Sequence, residues 1–185
     1  MRKALIDSYL PTLISVLGPV RPSFDDPSLD EQFAKRDLFK MAGIIKRVLH
    51  IETRVFLDIT DGDGAHGAPA WITRPDPMPL WGTEELRQAR VIIHMNRAFI
   101  AKACFEMIVA AFAHEFSLVV LDATKSSLRN QEEAVDLTAM LLGFRDFYVT
   151  GCSTFFSTGA QLQEYHVSYL SNEEIWYAAQ AMTFR

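Results

Sequence analysis

Apolar and polar positions in this chain change period several times, and each change marks an element. Residues 3–17 carry apolar positions at helical spacing, interrupted by Pro11, which predicts a helix kinked there. Gly18 to Pro27 is rich in proline and aspartate and reads as a linker loop. Ser28 and Glu31 have the spacing of a capping box, opening a helix over about 29–49 whose inward face is Leu38, Met41, Ala42, Ile45, Val48 and Leu49. Thr53–Thr60 alternates and is β-branched, so it predicts a strand. Ala70–Thr73 follows as the return strand of a hairpin, and Val91–Asn96 as a third strand placed at the sheet edge. Between them, Pro75, Pro77 and Pro79 keep the chain extended, and the segment from Thr83 can start one helical turn.

The longest apolar run, about Ala101 to Leu121, is hydrophobic on nearly every side and predicts a central, buried helix. After a polar connection, Asn130 and Glu133 signal another helix start, running to about Thr150 with Ala134, Leu137, Leu141, Leu142 and Phe144 inward. Gly151 to Gly159 reads as a loop. Ser171 and Glu174 form a further capping box, opening a last helix through about Met182. The expected architecture is α+β: a small, mostly antiparallel sheet packed on the central helix. Residues 1–27 are an N-terminal helix and linker, and residues 28–185 a single domain.

Composition narrows the function classes. The chain has 185 residues with a net charge of −5, 49% hydrophobic and 22% charged residues. No basic stripe suggests nucleic acid or an anionic membrane as partner. No apolar run reaches the roughly 18 residues a membrane span requires. Two cysteines, Cys104 and Cys152, make neither a disulfide framework nor a thiolate metal site, and a cytoplasmic, reducing compartment fits them. The N-terminal residues begin like a signal peptide, but Asp7 and Pro11 interrupt the apolar part, so the expectation is mature chain. Asp61–Gly67 is only superficially like a calcium loop, because no glutamate closes it; it reads as a turn with His66 exposed.

One pair stands out. His114 and Glu115 sit in the middle of the apolar run, where an imidazole and a carboxylate are costly unless something binds or bonds them. In H-E-x-x-H, residues i and i+4 of a helix put two imidazoles on one metal, and the glutamate beside the first takes a proton from the metal's water. Here His114 and Glu115 are in place, but the i+4 position is Leu118, which has no lone pair to give. The next predicted helix carries Glu132 and Asp136 as E-x-x-x-D.

His114–Glu115, Glu132–Asp136 and the strand–helix–helix order resemble the zincin metallopeptidases of the gluzincin type over about residues 53–150. Tyr169-Leu-Ser and Tyr177-Ala look like the tail of small bacterial proteins of this kind. The resemblance implies that Glu132 and His114 are metal ligands, that Asp136 orients His114 from behind, and that Glu115 is a general base. It also implies that the strand Val91–Asn96 binds extended peptide by strand addition. Since Leu118 breaks the two-histidine clamp, the reading is a degenerate zincin-like protein, catalytically inactive, with no cofactor, that binds a protein or peptide. The alternatives are an active zinc hydrolase drawing a third ligand from His166 or His94, a small-molecule-binding domain using the vacated pocket, and an unrelated helical core in which His114 merely bonds Asp136. Asp122 lies about 12 Å along the helix from His114, too far to share a metal. Without a metal, Glu115 and Glu132 are left unpaired near each other, which predicts a raised carboxylate pKa in the cleft.

Overall fold

The computed structural model describes residues 1–157 and 162–183, with the side chains of His66 and residues 153–165 left out. The readings of His66 as an exposed side chain and of residues 158–159 as loop lie outside what is described. In chain order the elements are α1 (Lys3–Leu17), α2 (Pro27–Ala34), α3 (Leu38–Val48), β1 (Arg54–Thr60), β2 (Ala70–Thr73), α4 (Glu84–Gln88), β3 (Arg90–Asn96), α5 (Arg97–Lys102), α6 (Phe105–Ala123), α7 (Glu132–Ala139), α8 (Arg145–Gly151), β4 (Ser153–Ser157), β5 (Leu162–His166) and α9 (Asn172–Thr183). The architecture is α+β. No helix among the described residues is long and apolar enough to cross a membrane.

The apolar residues of the central helix α6 draw it inside: of its 19 residues 15 are buried, His114, Glu115 and Ser117 among them. It packs against α7 and α8, against α3, and against the sheet through β2. Along β3, Val91, Ile93 and Met95 are fully buried, while Arg90, Ile92 and His94 alternate to the opposite face. Helix α1 puts Ile6, Leu10 and Leu13 into the same core.

The sheet departs from expectation. Its order is β1-β3-β2, with β1 parallel to β3 over seven residue pairs and β2 antiparallel to β3 over four. It is therefore mixed, and its longer ladder is parallel. β1 and β2 do not form a hairpin. The connecting segment closes a turn of its own through Gly64 N–H to Ala68 O (2.9 Å), leaving β1 and β2 two strand spacings apart with β3 between them. Val91–Asn96 is thus the central strand, paired on both sides, and cannot accept a peptide by strand addition. A second antiparallel pair, β4 with β5, replaces much of the loop expected at Gly151–Gly159.

The helix expected over 29–49 is two helices. Asp26, not Ser28, caps α2: its carboxylate accepts from Ser28 N–H at 2.9 Å, and Pro27 occupies the first turn, where its missing N–H costs nothing. Arg36 then turns left-handed (φ 56°), and the Asp37 side chain accepts from Lys40 N–H (3.1 Å) to start α3. The run from Ala101 is interrupted too: Asn96 caps the short α5 through Phe99 N–H, and the extended Ala103 and Cys104 separate it from α6. At the start of α7 the capping residue is Gln131 rather than Asn130, with no side-chain cap bond. The box at Ser171 does form: Ser171 N–H donates to Glu174 (3.0 Å) and Glu174 N–H to Ser171 Oγ (3.4 Å).

Between α7 and α8 the helix widens to a π turn over Met140–Phe144, with Gly143 at φ 109°. Only glycine fits there, because a Cβ would lie 2.8 Å from the Pro22 carbonyl. The widened turn receives residues 18–26: Arg21 N–H donates to Leu141 O (2.8 Å) and Phe24 N–H to Gly143 O (2.7 Å). The segment read as a linker is fastened along α7 and α8.

Candidate functional site

His114 lies in the middle of α6 and faces the first two turns of α7, so the helix–helix packing fixes its partners. Its Nδ1 is 2.8 Å from Asp136 Oδ1. The Asp136 carboxylate is fully buried and also accepts from the Tyr148 hydroxyl (3.0 Å), the Ser168 hydroxyl (2.8 Å) and the Tyr169 N–H (2.7 Å). This saturates both oxygens and holds the segment 168–169 over the imidazole. The Tyr169 ring stacks on His114, with centroids 5.5 Å apart and planes at 23°. On the other side of the ring, Nε2 stands 3.3 Å from Glu132 Oε2. That is a charge contact and not an aligned hydrogen bond, since Glu132 Oε2 has no hydrogen-bond partner.

Burial is the largest influence on the His114 imidazole and acts against its charge. The Asp136 carboxylate, followed by Glu132 and Glu115, outweighs it, so the pKa is pushed up to about 10. Glu115 is 4% exposed, and its Oε2 has no hydrogen-bond partner. Burial raises its pKa; the His114 charge opposes this and the Glu132 charge adds to it, leaving it at about 7. His114 and Glu115 line a cavity of about 220 Å³ together with Ala65, Gly67–Ala70, Ala111 and His166–Tyr169.

The remaining sequence candidates do not converge. Leu118 is half-buried, packed against the core one turn beyond His114. His166 borders the cavity, but its Nδ1 is 2.9 Å from Cys152 O and its Nε2 2.7 Å from Leu170 O, so both nitrogens are aimed at carbonyls and neither at His114. His94 sits on the central strand, on the face turned away from α6, between Asp58 (2.9 Å) and Thr73 (2.9 Å) and stacked on Trp71. Its expected placement at a sheet edge is corrected by the parallel β1–β3 ladder. Asp122 is paired with Arg74. Tyr148 and Ser168 had no role in the sequence reading, and Tyr169 entered it only within the tail motif Tyr169-Leu-Ser. Tyr148 is 12 residues from Asp136, across the π turn, so no helical spacing connects them.

The residues present can be tested against a zinc ion. Two ligands held at about 2.1 Å on a tetrahedral metal lie about 3.4 Å apart, and His114 Nε2 and Glu132 Oε2 have close to that separation, at 3.3 Å. A catalytic zinc takes three protein ligands. Leu118 withholds the third, and no group of three or more His, Cys, Asp or Glu side chains among the described residues is arranged to hold a metal. The donor set does not fit a three-ligand site.

Comparison with protein-family models, with curated proteins and with solved structures finds no match for this chain.

Proposed function

We propose that this is a zincin-like protein of the gluzincin type whose metal site lacks one ligand, and that it binds a protein or peptide segment without cleaving it. The observation that carries the reading is the bracketing of one imidazole by two carboxylates from the next helix, Asp136 on Nδ1 and Glu132 beside Nε2, with Leu118 at i+4. An ordinary core histidine needs one partner for burial and no second carboxylate.

The peptide would lie along β2, not β3. β2 pairs only with β3 among the described residues and is an edge. Asn96 N–H donates to Pro69 O (2.8 Å), and antiparallel alternation from that bond turns the backbone groups of Ala70 and Ile72 outward. Ala70 also lines the cavity at His114, so a strand added to this edge would pass the cavity mouth.

Elemental analysis of protein stripped of metal and reloaded with zinc tests the first half of the reading. The expected result is no stoichiometric zinc. Tight one-to-one zinc that disappears in His114→Ala would overturn it and restore an active hydrolase.

A further inference from the structure

We propose that the cavity at His114 receives a primary ammonium group, the α-amine of a peptide or the ε-amine of a lysine, against the carboxylate of Glu115, with the Glu132 charge beside His114 adding to its attraction. The proposal rests on reading the cleft as a peptide site and names the chemistry it recognises.

The fold leaves Glu115 without the compensation a buried carboxylate needs. It is 96% withdrawn from solvent (4% exposed), lines the cavity, and keeps Oε2 without a donor. Glu132 Oε2 is a second buried acceptor without a donor, next to His114 Nε2. Of the histidine side chains described on the cavity wall, His114 is held from behind by Asp136 at 2.8 Å, and both nitrogens of His166 are turned to carbonyls. Arg74 is near enough to influence Glu115 but is committed to Asp122. Among the described residues, His114 thus stands against three carboxylates, Asp136, Glu132 and Glu115, and Glu115 Oε2 at the cavity is left without a donor.

An ammonium supplies a positive charge and a donor. It carries three N–H donors in a small volume, one of which Glu115 Oε2 can accept, and Tyr169 puts an aromatic ring on the same cavity wall. A guanidinium is broader and planar. The lining includes small residues, Ala65, Gly67, Ala68 and Ala111 among them, so the space of about 220 Å³ suits an amine followed by a small residue. The wall's own carbonyls do not compete: Ala68 O is taken by Gly64 N–H and Pro69 O by Asn96 N–H.

The test is an NMR titration of the full chain at pH 8 in the presence of EDTA, with three probes. Ala-Ala-Ala-amide carries an α-amine, acetyl-Ala-Lys-Ala-amide an ε-amine, and acetyl-Ala-Ala-Ala-amide neither. Binding by an amine-bearing probe that shifts residues 65–70 and 111–115, weakened about tenfold or more when the amine is missing, is expected, since a charge-assisted contact is worth at least that factor. Whichever amine probe binds tighter identifies the source. Glu115→Gln should abolish the preference, and Glu132→Gln, at a half-exposed position, repeats the test should the first variant fold poorly. Equal binding of all three probes would overturn the ammonium site and leave the peptide cleft standing. No shift in the cleft with any probe would overturn both. A preference that survives both substitutions would remove the glutamates from the proposal.

Discussion

Tyr169 is tied to His114 twice: its ring stacks on the imidazole at 5.5 Å, and its N–H donates at 2.7 Å to the same Asp136 carboxylate that His114 contacts. One buried carboxylate thereby joins α6, α7, α8 and the segment before α9. Asp136→Asn keeps the size but removes the charge opposite His114 and turns one oxygen into a donor that faces donors. It should cost about 3 kcal/mol or more, the range for breaking a buried ion pair from one side. Urea denaturation measures the loss. An NMR titration should show the His114 imidazole losing its proton at lower pH than in the parent. A variant equal to the parent in both would show that Asp136 is not what holds the site together.

The shift of Glu115 fixes the sign of a pH effect. Its folded pKa, about 7, lies above the ordinary 4.5, so between these values the folded state holds a proton that the unfolded chain has lost. Its contribution to stability is complete below pH 4.5 and is lost as pH rises through 7. His114, raised from 6.5 to about 10, acts in the same sense over a higher window: its contribution is complete below 6.5 and lost toward 10. The parent should therefore resist urea better at pH 5 than at pH 8. Glu115→Gln, which cannot ionise, should show a smaller difference between the two. Equal slopes in parent and variant would mean that the buried carboxylate does not titrate in this window.

Leu118→Ala would only open a gap; Leu118→His tests the geometry. An imidazole at i+4 from His114 would share its helix face, and with Glu132 it would complete three ligands. Without metal the variant should lose about 1–3 kcal/mol of apolar burial. With zinc it should bind one equivalent, melt at a higher temperature, and return to its metal-free melting point on adding EDTA. If the variant ignores zinc, α6 and α7 do not carry a zincin-type site.

The site was legible in the sequence where helical spacing alone decides the geometry. His114 and Glu115 within an apolar run, and Glu132 four residues before Asp136, need only two adjacent helices to meet, and the structure does bring His114, Glu132 and Asp136 together. What depended on non-local closure was not legible. The crossing of β3 between β1 and β2 is set by how a turn around Gly64 closes, and a strand's alternation is the same in the centre of a sheet and at its edge. That single reversal moved His94 from the edge to the centre of the sheet and made β2 an edge strand among the described residues. Tyr148 reaches Asp136 only because the π turn at Met140–Phe144 changes the helical phase. The expected helix over 29–49 divided because Asp37 satisfies the backbone of Lys40 from outside the helix, a local bond that competes with apolar periodicity.

Two glycines offer opposite outcomes from the same substitution. Gly151 ends α8 where it presses on α6: a Cβ there would lie 2.1 Å from the Glu106 Cβ and 3.2 Å from the Glu106 backbone. These are not the far ends of flexible side chains, so Gly151→Ala must move one helix off the other. Overpacking of this kind costs about 1–3 kcal/mol. Because α6 carries His114 and Glu115, the shift should also appear in the NMR signals of the cleft. Gly43 sits inside α3, and a Cβ there meets nothing within 4 Å. Gly43→Ala should stabilise by about 0.5–1 kcal/mol through helix propensity alone and leave the cleft signals in place. Urea denaturation of the pair separates the two effects. If Gly151→Ala is as stable as the parent, α6 and α8 are not in the close contact that the Glu106–Gly151 approach implies.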